Sequence, residues 1–404
     1  MNQPVLSIDV AKGKSVAAAF SAYGNVFRKP FSFSHSPQGV SELIPLMNQL
    51  EELTGMRPQV VMEATGHYSK PLVSFFAAHG FPVVLLNPLL THQLKKKATR
   101  KVKTDPVDAL RIAQAFYLEE SSPVQEWDPA LLNLRALCRQ HVQITELYGS
   151  VQLHFRSVLD LVFPGYDQAF QNICNPTSLE LLSLFPSSEA LLHADPEEVL
   201  RILLHNRRGR AWNEQKLVHL LNLARESLPD PQASFAHEIA LKNYISLLKS
   251  HQSSLAELQA HLLQLASSLP ANALLRSIPG VGPLTSAMIQ AEIGDIKRFP
   301  SIKQLTAFAG LDSSVYESGT FKASQNRISK RGSSYLRTAL YQATVAGISK
   351  QVKGPRNEIL SRYYQLKRSQ GKPSKVAIIA TANKLLRIIY GVWTSEIPFS
   401  SDIN

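Results

Sequence analysis

Two short apolar stretches, each ending near a carboxylate, place the strongest constraint on how this chain can fold. The first spans residues 5–10 and carries Asp9, and the second spans residues 59–63 and ends at Glu63. Aliphatic residues of this kind predict buried strands, where an acid is costly unless it is hydrogen-bonded, paired or bound to metal. Asp9 alone could simply cap the turn that follows it. Two strands that end in the same way instead predict a metal site at one edge of a sheet.

The charge and the cysteine content limit the class of protein. The chain of 404 residues carries a net charge of +12, which favours a polyanionic partner, most simply nucleic acid. Cys138 and Cys174 are its two cysteines, too few for a zinc-ligand pattern or a disulfide framework, so we predict a reducing compartment. The sequence shows no signal-peptide pattern and no apolar run of about 18 residues. We therefore expect a cytoplasmic protein without a membrane partner.

The pattern around the two acid-bearing strands predicts a mixed α/β domain. Residues 15–20 and 26–33 are strand-like, which predicts an antiparallel meander after the first strand. A helical pattern follows, in which we expect Pro45 to introduce a kink. The second acid-bearing strand comes next, then a helix, a strand at residues 82–87 and a further helix. The order β-β-β-α-β-α-β-α is that of the RNase H-like fold, in which catalytic acids lie at the ends of central strands, a step that rests on fold analogy.

A dense basic run leads directly into another pair of acids, Asp105 and Asp108. Runs of this kind are usually solvated loops, but this one could instead hold a phosphate backbone. Pro106 suits the first turn of a helix, and acids three positions apart lie on one side of it. The two acids therefore either cap that helix or join Asp9 and Glu63 in one site. The basic run consists of Lys95, Lys96, Lys97, Arg100, Lys101 and Lys103.

Four carboxylates gathered in one place would repel one another. A single pair about 4 Å apart costs roughly 4 kcal/mol at an effective dielectric constant near 20. Divalent cations would remove that cost, and all-oxygen ligands favour Mg²⁺ or Mn²⁺ over zinc. Two such ions can activate a nucleophile and stabilise a leaving oxygen in phosphodiester chemistry. The predicted metal ligands and catalytic acids are Asp9, Glu63, Asp105 and Asp108.

Apolar residues at three- and four-residue steps predict two long helices in the middle of the chain. One begins after Asp128-Pro129, a favoured helix start, and the other spans residues 231–268. We predict that they pair as an antiparallel coiled coil, which can also join protomers. Residues 166–230 predict several short helices punctuated by prolines.

The C-terminal third contains a glycine-rich turn and a second basic segment. Gly280 and Gly282 fit a helix-hairpin-helix turn, whose N–H groups can bind a phosphate, although a purely structural turn has the same pattern. A basic segment then opens another helix, and residues 373–393 predict a final core helix. We predict nucleic-acid contacts at both glycines and in the basic segment, at Arg327, Lys330 and Arg331.

Three motifs, in this order and spacing, make the chain resemble a known family. It resembles the insertion-sequence transposases that have an Asp-Glu-Asp-Asp site in a RuvC-like domain, some of which are guided by a bridge RNA. The resemblance covers both ends of the chain and includes the pair Ser318-Gly319. The three motifs are Ile8-Asp9-Val10-Ala11-Lys12, Met62-Glu63-Ala64-Thr65-Gly66-His67-Tyr68 and Lys103-Thr104-Asp105-Pro106-Val107-Asp108-Ala109.

The resemblance implies a domain organisation, a nucleophile and partners. It implies an RNase H-like (RuvC-like) α/β domain at residues 1–126, a helical coiled-coil linker and oligomerisation region at 127–270, and a helical C-terminal transposase domain at 271–404. Ser318 would be the serine nucleophile of this last domain, whereas its surroundings alone suggest an ordinary loop serine. The implied partners are donor and target DNA, a guide RNA, and further copies of the chain in a dimer or tetramer.

We predict a DNA transposase or recombinase; the resemblance implies that it cuts and rejoins strands through a covalent phosphoserine, assisted by the Mg²⁺-binding acids. Two alternatives stay open at this point. One is a RuvC-like, metal-dependent junction-resolving nuclease, in which water attacks and no adduct forms. The other is a non-catalytic nucleic-acid-binding protein. Metal-dependent cleavage separates both enzymes from the binding protein, and a covalent adduct separates the two enzymes from each other.

Overall fold

The chain forms two units, Met1–Glu126 and Trp127–Asn404, each with its own core. A computed structural model describes most of both units. The described residues are 2–64, 66–86, 88, 105–118, 128–206, 208–230, 232, 235–313, 317–318, 321–322, 327–352 and 354–400.

A five-stranded sheet forms the centre of the N-terminal unit. Strands β1, β2 and β3 form the predicted antiparallel meander, and β1, β4 and β5 run parallel, so the order across the sheet is β3-β2-β1-β4-β5. This mixed sheet is compatible with an RNase H-like domain. The strands are β1 (Val5–Asp9), β2 (Lys14–Ala22), β3 (Asn25–Ser34), β4 (Gln59–Glu63) and β5 (Val83–Leu86).

Helices cover both faces of this sheet, and the alternation of side chains along each strand decides which residue meets which helix. Leu6 and Val60 belong to the core under α1–α3, whereas Val5 and Val61 belong to the core under α4. Because side chains alternate with a period of two, Asp9 shares the face of Val5. The helices are α1 (Pro37–Ser41), α2 (Leu43–Thr54), α3 (Ser69–Ala78) and α4 (Asp105–Leu118).

The kink expected at Pro45 is instead a break between two helices. Helix α1 ends at Ser41, and α2 begins at Leu43, with Pro45 in its first turn. A proline has no N–H to donate to the carbonyl four residues earlier, and its ring crowds that carbonyl. A new helix start tolerates proline because its first N–H groups have no partner within the helix. The chain therefore restarts the helix rather than bending it.

Two long helices, α5 (Pro129–Val162) and α10 (Phe235–Ser267), pack side by side in the second unit. Residues near the start of α5 share a core with residues near the end of α10, and the reverse holds at the other end, so the pair is antiparallel as predicted. The Asp128 side chain accepts a hydrogen bond from the Ala130 N–H at 2.7 Å and caps α5. The predicted short helices lie between the two: α6 (Pro176–Leu184), α7 (Ser188–Leu192), α8 (Pro196–Leu204) and α9 (Arg210–Glu226).

The remaining helices pack around the start of α5 and the end of α10. Because the long helices contribute to two cores, one with α6–α9 and one with the C-terminal helices, the division at residue 270 stays a prediction. Two short hairpins, β6–β7 (Glu317–Ser318 and Phe321–Lys322) and β8–β9 (Lys350–Gln351 and Gly354–Pro355), flank α14. The helices are α11 (Ala271–Arg276), α12 (Pro283–Ile293), α13 (Ile302–Ala309), α14 (Ser334–Ile348), α15 (Glu358–Ser369) and α16 (Ser374–Ser395).

Helix α16 is long and apolar enough to cross a membrane by length and composition alone, with a mean hydropathy of 1.3. Half of its most apolar window is buried inside the protein, and the helix packs against α14 and α15. Its buried residues, such as Leu385 and Ile389, belong to the C-terminal core. This agrees with the core helix predicted for residues 373–393.

Candidate active site

Asp9 and Glu63 lie next to each other at the same edge of the sheet. Strands β1 and β4 are parallel neighbours, with Ile8 paired to Met62, and each acid follows one residue later. Parallel neighbouring strands are about 4.8 Å apart, which brings the two backbones close. Both acids are half-buried. The predicted meeting of two strand-end carboxylates is therefore present in the fold.

Helix α4 brings Asp108 toward the same edge. The Tyr117 hydroxyl near the end of α4 donates to the Gln3 carbonyl, just before β1, at 2.7 Å. Because α4 packs along β1, its first turn lies toward the opposite end of the strand, where Asp9 is found. Asp108 is buried in this first part of the helix. Asp105 begins the same helix, but its side chain falls outside the described residues.

Asp108 already interacts with a cation of the protein. Arg111 Nη1 donates to Asp108 Oδ1 at 3.0 Å, and both side chains are largely buried. Among the described side chains, no three His, Cys, Asp or Glu residues come together closely enough to hold a metal. Oxygen-only donors at neighbouring strand ends nevertheless match the preference of Mg²⁺ and Mn²⁺. The four-acid metal site stays a prediction, with Asp9 and Glu63 as its best-placed pair.

Ser318 lies in a clamped loop of the second unit. Strand β6 ends at Ser318, which pairs with Phe321 of β7. At the foot of the loop, Ser313 bridges to Ile328, and the Ser329 N–H donates to the Asp312 carbonyl at 2.8 Å. The side chain of Ser318 lies outside the described residues, as do Ser314 and Ser324. The backbone therefore places Ser318 at the end of the first strand of a short hairpin.

The predicted basic segment follows this stem directly. Arg327, Lys330 and Arg331 are all exposed. The backbone beside them packs too closely for side chains, since a Cβ on Gly332 would lie 1.9 Å from the Phe308 carbonyl oxygen. The segment is thus a fixed, basic surface beside the Ser318 loop. The other predicted basic run, Lys95, Lys96, Lys97, Arg100, Lys101 and Lys103, lies outside the described residues.

The two glycines of the predicted helix-hairpin-helix turn have different surroundings. They lie between α11 and α12, and Gly280 has φ +102°, which favours glycine. A Cβ on Gly280 would lie 2.6 Å from the Gly347 Cα, so packing against α14 also requires glycine there. Gly282 is exposed and precedes α12, and its carbonyl accepts from the Ser286 N–H at 2.8 Å. Of the two, Gly282 is the one that a ligand can reach.

Two family models match this chain, and both describe transposases. The IS110 DEDD transposase model matches residues 6–164, and the model of the IS116/IS110/IS902 transposase family matches residues 272–365. Together the matches cover more than half of the chain and contain all the predicted site residues, from Asp9 to Arg331.

The chain belongs to the IS110/IS116 family of transposases.

Proteins similar to this transposase include a pilin gene-inverting protein and other transposases. It is 25% identical to the pilin gene-inverting protein of Moraxella bovis across the full length of both chains. It is 29% identical to a probable family 20 transposase of Pseudomonas aeruginosa over 48% of this chain and 55% of that one. It is 35% identical to the transposase of insertion sequence IS1111A from Coxiella burnetii over 30% of this chain and 32% of that one. Membership of this family implies a DNA substrate and supports the predicted recombinase over the non-catalytic binding protein.

One charged group of the transposase was missed by sequence reasoning. Glu292, at the end of α12, is 1% exposed and accepts hydrogen bonds from Arg139 Nε at 2.8 Å and Nη2 at 3.1 Å. Arg135 Nη2 lies 3.4 Å from Glu292 Oε2, and Ser333 Oγ donates to the same oxygen at 2.8 Å. The available signal was a glutamate within an apolar helix and two arginines four positions apart. Neither pattern reveals its partner 153 residues away.

The ionisation of this group follows from its surroundings. Burial alone would raise the pKa of Glu292, but the hydrogen bond from Arg139 and the charge of Arg135 outweigh burial and lower the pKa. The hydrogen bond to Glu292 raises the pKa of Arg139, whereas burial lowers that of Arg135. We assign Glu292 as ionised, because two guanidinium groups and a hydroxyl stabilise its charge.

Proposed function

We propose that this transposase cuts and rejoins DNA through a covalent bond to Ser318, with Asp9 and Glu63 as the centre of an acid site that assists the reaction. The observation that carries the proposal is the placement of these two acids at neighbouring strand ends, with Asp108 toward the same edge. The short hairpin whose first strand ends at Ser318 supports the second part.

The acids would hold Mg²⁺ or Mn²⁺, and Asp105 and Asp108 would complete the set. When bound, such an ion would polarise a phosphate oxygen and neutralise the charge that develops on it. Without it, Asp9 and Glu63 would repel each other in the half-buried edge where they meet. A pair of accessible carboxylates also offers a base that can take the proton of an attacking hydroxyl.

In the proposed reaction, the Ser318 Oγ attacks the phosphorus of one phosphodiester. The new Oγ–P bond replaces a P–O bond to deoxyribose, which leaves with the proton as a free hydroxyl end. A serine hydroxyl is a poor nucleophile at neutral pH, so it needs the acid site to accept its proton. Attack by another strand's hydroxyl on the phosphoserine reverses the bond change and joins the new ends. The acids and Ser318 would meet either within one chain or between protomers.

The proposed partners follow from this chemistry and from the family. Donor and target DNA are the substrates, and the exposed Arg327, Lys330 and Arg331 would contact phosphates beside the Ser318 loop. A bridge RNA would select the DNA sites. The basic residues within 95–103 would contact the phosphates of the bound nucleic acid. A dimer or tetramer would bring two DNA strands together. We also propose a cytoplasmic location.

The test is the Ser318→Ala variant, which should retain DNA binding but lose strand exchange and any denaturation-resistant protein–DNA adduct. The matched control is Ser313→Ala, which changes an exposed serine at the foot of the same loop. End-labelled DNA on a denaturing gel gives the readout for wild type and both variants. An adduct that persists in Ser318→Ala places the nucleophile elsewhere. Cleavage by wild type without any adduct favours the junction-resolving nuclease.

A further inference from the structure

Three arginines converge where the Ser318 loop meets the rest of the second unit. Arg135 and Arg139 are four positions apart on α5, so they lie on one side of that helix. Arg298 follows α12 and stacks on Phe299 and Phe308, with its guanidinium carbon 5.0 and 5.2 Å from the two ring centroids. The Phe308 carbonyl accepts from the Ser333 N–H at 2.8 Å, and Ser333 in turn donates to Glu292. Arg135 and Arg139 therefore reach the segment that leads out of the loop through Glu292, and Arg298 packs on Phe308, which bonds to the same segment.

Among the described side chains at this place, three guanidinium groups interact with two carboxylates. Glu292 is the buried carboxylate that interacts with Arg135 and Arg139, and the exposed Asp295 is the acid that acts on Arg298. Burial and the charge of Arg135 lower the pKa of Arg298, and Arg139 acts in the same direction on the pKa of Arg135, so Arg135 lies close enough to both guanidinium groups for their charges to interact. An anion added to this group would relieve the repulsion between these like charges.

The carboxylate at this place is buried, whereas Arg135 and Arg139 are partly exposed. The Glu292 side chain is 1% exposed, whereas those of Arg135 and Arg139 are 25% and 39% exposed. Arg139 also lies over the Tyr335 ring, with 4.8 Å between the guanidinium carbon and the ring centroid. Glu292 and Tyr335 hold the plane of this guanidinium, and its outer edge remains accessible. Planar guanidinium groups held in this way suit a phosphate, which they can bind through two parallel hydrogen bonds.

We propose that Arg135, Arg139 and Arg298 form a binding site for one phosphate of a DNA strand, at the foot of the loop that carries Ser318. The stem of that loop, closed by Ser313 and Ile328, is separated from Ser333 by only a short stretch of chain. A phosphate bound here would hold the strand in register beside the loop. The inference rests on the proposed function only in taking the ligand to be DNA.

The experiment measures how strongly affinity for a short DNA duplex of fixed sequence falls with salt. It uses the full chain with Ser318→Ala and no divalent metal, so that no cleavage is required. Each phosphate contact contributes about 0.9 to the slope of log affinity against log salt. Arg135→Gln and Arg139→Gln should each lower the slope by up to about 0.9, and the double variant should lower it by no more, because both side chains bind one phosphate. The control is Arg156→Gln, an exposed arginine farther along α5, which should leave the slope unchanged.

Loss of Arg139 removes one of the two arginines that pair with Glu292 and can therefore destabilise the fold. A second variant separates such destabilisation from the loss of a phosphate contact. Arg139→Gln combined with Glu292→Gln removes the buried charge together with its partner. A slope equal to that of the parent protein in folded variants, or a double variant that loses twice as much as each single one, overturns the proposal. A loss that occurs with an RNA duplex but not with DNA also overturns it. Adduct formation by the chain with Ser318 intact reports separately on the proposed function.

Discussion

Selected carboxylates of the two units differ in how deeply they are buried. Glu292 is fully buried and is surrounded by two arginines and a serine hydroxyl. Asp9 and Glu63 are half-buried and end two neighbouring parallel strands at one edge of the sheet. A buried charge persists only when its surroundings compensate for lost hydration. The difference separates an acid that two arginines neutralise inside the core from two strand-end acids that we propose as ligands of a cation.

Asp108 lies between these two cases. It is buried like Glu292 and has an arginine partner, Arg111, one turn away. It also lies toward the edge that holds Asp9. As a metal ligand, Asp108 would have to share its charge with Arg111. Asp108 also differs from Asp9 and Glu63 in burial, since those two acids are half-buried.

The largest expected effect is the loss of strand cleavage when Asp9 or Glu63 is replaced. Asp9→Ala and Glu63→Ala should each reduce Mg²⁺-dependent strand cleavage by at least about 100-fold, because each would remove a ligand of the proposed metal site. The unfolding midpoint without metal should stay the same or rise, since one of two neighbouring like charges is lost. Cleavage assays and thermal unfolding of the same preparations measure both effects. Full cleavage by both variants would show that these acids share no metal site.

Replacement of the buried acid Glu292 should instead lower the stability of the protein. Glu292→Ala should lower the free energy of unfolding by about 3–5 kcal/mol, because Arg135 and Arg139 lose their shared carboxylate. Glu292→Gln should cost less, since an amide oxygen still accepts hydrogen bonds. The control is Glu257→Ala on α10, where the side chain is 76% exposed and the expected change is within about 0.5 kcal/mol. Equal stability of Glu292→Ala and this control in denaturant unfolding would remove the distinction between the two regions.

The smallest expected effect is a change with pH in the stability that Glu292 contributes. The pKa of Glu292 is lowered from the ordinary value of 4.5, so its ionised form contributes stability that is fully present above that value. As pH falls below 4.5 and through the lowered pKa, that contribution should be lost. The stability difference between wild type and Glu292→Gln should accordingly be constant near neutral pH and shrink in acid. Denaturant unfolding of both proteins across this range measures it, and a difference that grows in acid would contradict the assignment of Glu292 as ionised.

Local chemistry made much of the N-terminal unit predictable. Apolar strands with acids at their ends, and the meander after the first, follow from period-two patterns of a few residues. Asp128 and Pro129 predicted the start of α5 because capping depends on neighbouring residues alone. The break before Pro45 was less predictable, since a proline within a helical pattern can produce either a kink or a new helix.

What the sequence by itself determined is therefore the set of elements and the acids that end two of them. Only the tertiary structure decided that β1 and β4 are parallel neighbours, which puts Asp9 beside Glu63. It also decided that Gly280 packs against Gly347, which leaves no room for a side chain at position 280. It decided as well that arginines of a helix distant in sequence neutralise Glu292. The physical reason is that propensity and periodicity act over a few residues. Register, close packing and charge neutralisation depend instead on groups that meet only after the chain has folded.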